Sequence, residues 1–162
     1  MAQLRVVGDG LLLALDGDEV ALLITLAASL QSRVGSGIWD ADDPILARLA
    51  PKASRGDDEA DDELRGMLVE GLMDTRRARL ESLRADLTSW GAGGAIERTL
   101  DRAESERLVE VLNDLRLALG ASIAVETIER EDLTEDDPRA ATLGLMDHLG
   151  WMQGRLIDFV ES

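Results

Sequence analysis

Apolar positions change rhythm along this chain, and each change marks an element. Residues 4–15, LRVVGDGLLLAL, hold two short apolar runs around Gly8-Asp9-Gly10. Gly and Asp tolerate the positive φ of tight turns, so the stretch predicts a β-hairpin. Asp16 to Glu19 then supply a cap and first-turn acids. Acids are favoured there by the helix dipole, and a helix over about 18–34 follows. Its sequence is apolar on nearly every face, which predicts a central position or a subunit interface.

In DADDPILARLAP, Asp43 is a cap and Pro44 suits a first helical position, with Ile45, Leu46 and Leu49 on one face and Pro51 as the stop. Residues 52–58, KASRGDD, read as a polar link. A long helix is predicted over about 59–88. It opens on DDEADDE, carries RRAR and Arg84 later, and matches the macrodipole in that order. Leu64, Leu68 and Leu72, then Leu80, Leu83 and Leu87, form its apolar stripe, with Gly66 and Gly71 as points of close packing or bending. WGAGGA (90–95) reads as a loop and IERTL (96–100) as a short strand. Asp101 to Glu104 resemble a capping box that opens the next helix. Residues 126–138 are polar and acidic, and Asp137-Pro138 starts a last helix over about 138–161. The sum is a mainly α, single domain over 1–162. It has an N-terminal β-hairpin within 1–16 and a body of about five helices over 17–162.

The helix around 108–123 holds the most informative polar residues. Leu108, Leu112, Leu115, Leu119 and Ile123 share one face, and Val111 and Ala118 widen it. Arg116 sits beside Leu112 at the edge of that stripe. A buried guanidinium needs a carboxylate or several carbonyls, because an unpaired buried charge costs several kcal/mol. Asp114 points elsewhere, so the expected partner comes from another segment, with Asp43, Glu19 and Asp147 as candidates. Asn113, Asp114 and Arg116 together read as a structural polar network. The alternative makes Asn113 and Arg116 a binding site for a small molecule or an anionic group.

On the last helix, Leu145, Leu149, Met152, Leu156 and Phe159 form the core stripe, flanked by Met146 and Val160. Gly144, Gly150, Trp151 and Gly154 lie roughly opposite. Gly150 and Gly154 are one turn apart, so a second backbone can approach closely. A tryptophan beside bare glycines suggests a covered face, either under another helix of the chain or under a second subunit. Gly150, Trp151 and Gly154 are therefore the candidate interaction surface, and a homodimer is the expected assembly.

Composition narrows the chemistry. The chain has 162 residues and a formal net charge of -16, with no cysteine and one histidine, His148. Such a chain repels phosphate backbones and anionic membranes, so nucleic-acid binding is disfavoured. The arginines at 76–84 could serve DNA only on an open face free of acids, and helix-end charge compensation explains them more simply. No segment reaches the ~18 consecutive apolar residues of a membrane helix. No leader pattern opens the chain, and the absence of cysteine fits the cytoplasm. One histidine excludes a multi-histidine metal site within the chain. Neither G-x-S-x-G nor a Walker A loop is present, and the calcium-loop start at DADDP lacks its glycine and closing glutamate. No catalytic residue, metal ligand or cofactor is assigned. The acid clusters at 40–43, 57–63 and 129–137 read as solvated faces.

Several segments also carry a family likeness. LNDLRLALG (112–120), DDPILARLAP (42–51), the apolar helix after DGDE and the closing MDHLGWMQGRLIDF (146–159) occur in this order. The chain resembles, over nearly its whole length, an actinobacterial family known as a domain of unknown function, and LNDLRL is the most specific part. Such proteins are often encoded beside the ClpS-type adaptor of the Clp protease. The resemblance implies a mostly helical cytoplasmic protein linked to regulated proteolysis, with a Clp component or adaptor as partner and no catalytic residues.

Overall fold

Two antiparallel strands open the chain, β1 (Gln3–Val7) and β2 (Gly10–Leu15), and a third, β3 (Ile96–Leu100), pairs with the free side of β2. The structure, a computed structural model, describes residues 1–35, 42–49 and 59–162, the side chains of 59–65 excepted. The link over 52–58 and the Pro51 stop lie outside the described residues. So do the side chains of Leu64 and of the acid run at 57–63, and Asp40 of the 40–43 cluster.

The hairpin pairs Val7 with Gly10, which leaves Gly8-Asp9 as a two-residue turn. Gly8 alone takes a positive φ, +60°, and glycine at the first central position is the type II′ arrangement. The register puts Leu11 beside Leu100, Leu13 beside Arg98 and Leu15 beside Ile96. Leu11, Leu13 and Leu15 are buried on one face of β2, as period-two alternation requires. That face rests on the helices.

The helices are α1 (Gly17–Val34), α2 (Pro44–Leu49), α3 (Glu59–Gly91), α4 (Arg102–Ser122) and α5 (Pro138–Glu161). The mainly helical architecture with a small N-terminal sheet agrees with the sequence reading, and the strand over 96–100 is present. Asp16 and Asp101 each close a full capping box, with Glu19 and Glu104 respectively. α1 buries Val20, Leu23, Ala27, Leu30 and Val34, a stripe at helical spacing. α4 buries Leu108, Val111, Leu112, Leu115 and Ala118, and α5 buries Leu149, Met152, Leu156 and Phe159. These meet Leu80, Leu83 and Leu87 of α3 in one continuous apolar cluster. The acidic stretch after α4 holds two short 3₁₀ turns, Val125–Thr127 and Arg130–Asp132.

The stripe of α3 departs from the sequence reading in its first half. Leu68 is 59% exposed and Met67 71%, and burial begins at Met73. α1 explains this. Gln31 of α1 accepts from Arg84, and Gly35, just past its end, lies against the Arg77 side chain. The two helices thus run antiparallel, and α1 stops level with Arg77. The earlier turns of α3 extend past it. Among the described residues nothing packs within 4 Å of a Cβ built on Gly66 or Gly71, and neither glycine makes a close approach to them.

Asp137 caps α5, its carboxylate accepting from the Arg139 backbone at 2.9 Å and pairing with the Arg139 guanidinium at 2.7 Å. The Arg139 side chain, and then its amide, lower the Asp137 pKa from 3.8 to about 2. A depressed folded pKa means the cap contributes fully above the unfolded value of 3.8 and is lost as pH falls through about 2. Amide exchange in the first turn of α5 should therefore quicken between those two values, before the interior of α5 responds. An unchanged first turn at the acid end of that window would contradict the assignment.

Candidate functional site

α4 carries two polar residues on opposite flanks of its leucine stripe. Asp114 faces α3. Its side chain is 2% exposed, its Oδ1 accepts from Arg76 Nε at 3.1 Å, and its Oδ2 lies 3.2 Å from Arg79 Nη2. Arg76 Nη1 also donates to the Leu49 carbonyl, the last residue of α2. One carboxylate therefore ties α2, α3 and α4. Arg79 reaches a second acid, Glu110, at 3.2 Å, and Arg84 donates to Gln31 at 2.8 Å. Of the arginines of RRAR together with Arg84, three, Arg76, Arg79 and Arg84, turn inward.

Arg116 faces α5 and pairs with no carboxylate among the described residues. Its Nε donates to the Met146 carbonyl at 3.2 Å and its Nη1 to Gln153 Oε1 at 2.9 Å. Gln153 is 6% exposed and donates onward to the Val109 carbonyl at 3.1 Å. The three acids proposed as partners are engaged elsewhere. Asp43 caps α2 and pairs with Arg33 at 2.8 Å. Glu19 completes the α1 capping box and meets His148 at 3.3 Å. Asp147 pairs with Arg130 at 2.8 Å, and that guanidinium holds the Asp147 carboxyl below the usual range. Asn113 is exposed. Asn113, Asp114 and Arg116 therefore do not meet as one network: Asp114 serves α3, Arg116 serves α5, and Asn113 serves neither.

Gly150 answers to Arg116. A Cβ on Gly150 would sit 3.1 Å from Arg116 Cζ and 3.2 Å from its Nη2. The bare backbone of α5 is a seat for the guanidinium, and the chain itself covers it. Gly154 and Gly144 meet nothing within 4 Å. A double-mutant cycle tests the seat. Gly150→Ala should cost stability beside Arg116, where the added methyl displaces the guanidinium from its two bonds. In an Arg116→Met background the same change should stabilise, by up to about 1 kcal/mol, because alanine favours a helix interior over glycine. Equal effects in both backgrounds, read by urea denaturation, would contradict the seat.

Trp151 has a different neighbourhood. It is 43% exposed and stacks on His148, ring centroids 5.9 Å apart. His148 in turn touches Glu19, so this side of α5 meets the start of α1. Leu22 lies one turn after Glu19 on the same side of α1 and is 42% exposed. The Glu19–His148 contact marks a seam between α1 and α5, and Leu22 and Trp151 are each exposed one turn from it.

A cleft of about 340 Å³ opens on the other side of the molecule, between α3 and α4. Leu83, Leu108 and Val111 form its apolar wall, and Trp90 stands at its end with Arg98 over the ring at 4.8 Å. Arg79, Asp86, Glu104 and Arg107 are the charged residues that line it. Asn113 and Arg116 do not line it. The sequence reading missed this cleft and missed Gln153. A signal existed for Gln153, a lone amide set between Leu149, Met152 and Leu156 at core spacing. Among the described residues, no three His, Asp or Glu side chains come together as metal ligands, and no helix is long and apolar enough to cross a membrane.

A family model described as a domain of unknown function, DUF2017, matches residues 1–160. No curated protein and no solved structure matches the chain.

Proposed function

The chain belongs to the DUF2017 family, a domain of unknown function, and we propose that it is a non-enzymatic interaction or regulatory protein that works as a homodimer through the α1–α5 seam. The observation that carries this reading is the exposure of Trp151, 43%, on a helix whose other aromatic residue, Phe159, is 6% exposed. A half-exposed tryptophan on a rigid helix is the side chain that most often anchors a protein interface. Leu22 across the seam adds a second apolar contact, and Glu19, His148 and Arg155 supply a polar rim. A two-fold dimer uses the same patch twice, so Leu22 of one copy can meet Trp151 of the other.

The other readings have less support. Arg116 is held against α5 by Met146 and Gln153, and Asn113 is exposed without sharing a partner with it, so an anion site built by the two together has less support. Three of the arginines over 76–84 are turned inward, two of them onto acids, which leaves little for a DNA backbone. The cytoplasm and regulated proteolysis are the setting we propose on the strength of the family resemblance, with a Clp component or adaptor as a further partner for the same seam.

Trp151→Glu together with Leu22→Glu tests the surface. Both residues are exposed, so the fold should persist by circular dichroism while the solution mass falls from two chains to one. A double variant that keeps the wild-type mass would remove the seam from the reading.

A further inference from the structure

We propose that the α3–α4 cleft binds a small zwitterion of amino-acid size with an apolar side chain. This site is separate from the α1–α5 seam and stands without it. The cleft measures about 340 Å³, the small end of the roughly 300–1,000 Å³ typical of ligand pockets. Its wall of Leu83, Leu108 and Val111 suits an apolar side chain, and Trp90 closes one end.

The charged groups define the rest of the ligand. Two of the four charged residues that line the cleft are already engaged. Glu104 is held by Arg98 at 2.7 Å and by its capping box, and Arg79 donates its Nη1 to Glu110 and ion-pairs with Asp114 across 3.2 Å. Two groups remain. Arg107 and Asp86 both line the cleft, and neither has a hydrogen-bond or ion-pair partner among the described residues. Arg107 suits a carboxylate, through charge-assisted bonds. Asp86 suits an ammonium. A ligand with only one of these charges would leave the opposite free group of the cleft unanswered. An apolar side chain bearing both is an apolar amino acid.

The test is a titration of the whole protein with L-leucine and L-phenylalanine, followed by backbone amide shifts along α3 and α4. Two analogues separate the contributions: 4-methylpentanoate, which is leucine without its amine, and 3-methylbutylamine, which is leucine without its carboxylate. Saturable shifts confined to the cleft are expected for the amino acids, with each analogue at least tenfold weaker. Arg107→Gln should weaken leucine about tenfold and leave the amine unchanged. Asp86→Asn should weaken leucine similarly and leave the acid unchanged. Ala78→Phe, at an exposed helical position on the cleft, should block binding with the fold intact. Absence of saturable shifts with both amino acids overturns the proposal. Equal binding of leucine and its two analogues also overturns it, since that would be an apolar groove with no charge selection.

Discussion

Asp114→Ala is expected to lower the unfolding free energy by about 3–5 kcal/mol, the cost of removing one partner from a buried charge cluster. Asp114 is 2% exposed and is approached by two guanidiniums, Arg76 at 3.1 Å and Arg79 at 3.2 Å. Arg76 and Arg79 are themselves 12% and 26% exposed, so neither can simply turn out into water. Without the carboxylate, both cations stay close together in a partly apolar setting. A domain this size is stable by roughly 5–15 kcal/mol in all, so the variant should lose much of its margin. Its urea midpoint should drop sharply with little change in slope. Replacing Arg76, Asp114 and Arg79 together by methionine, leucine and methionine should recover most of the loss, because an apolar cluster of similar volume needs no charge compensation. A loss below about 1 kcal/mol for Asp114→Ala would mean that the three helices are not tied through this carboxylate.

Gly10→Ala carries the second large effect. Gly10 begins β2 and lies against β3. An added Cβ would clash with Thr99 Cγ2 and sit 3.0 Å from the Leu100 carbonyl oxygen. The threonine methyl can rotate aside, but the carbonyl belongs to the strand and can move only with it. The strands must part locally, and overpacking of this kind costs about 1–3 kcal/mol. Thr99→Ser removes the methyl and should recover part of the loss, with the remainder set by the carbonyl. Thermal denaturation of the two single variants and the double variant checks this. Full recovery in the double variant would show that the backbone contact does not matter.

What could be read from the sequence was local. The caps at Asp16, Asp101 and Asp137 act on amides two or three residues away, so their spacing alone reveals them. The Gly8-Asp9 turn and the leucine stripe of α4 are legible for the same reason. The partner of Arg116 was not, because it depends on which acids are already occupied. Asp43 is occupied by its own helix start and Arg33, Glu19 by its capping box and His148, and Asp147 by Arg130. A guanidinium left without them settles on a carbonyl, an amide and a glycine, none of which stands out in a sequence. Leu68 failed for a related reason. Periodicity gives the direction a side chain faces on its own helix, not how far the neighbouring helix extends. The α3–α4 cleft escaped altogether, since it lies between two helices far apart in sequence and no residue pattern records their separation.

The measurement that bears most directly on the proposed function is the solution mass of the purified protein by light scattering, across a dilution series at low and high salt. A homodimer through the α1–α5 seam predicts twice the protomer mass at high concentration, dissociating on dilution. The net charge of -16 on each copy opposes association, so added salt should raise the dimer fraction by screening that repulsion. A single-chain mass at every concentration and in both salts would contradict the homodimer and leave Trp151 without the partner proposed for it.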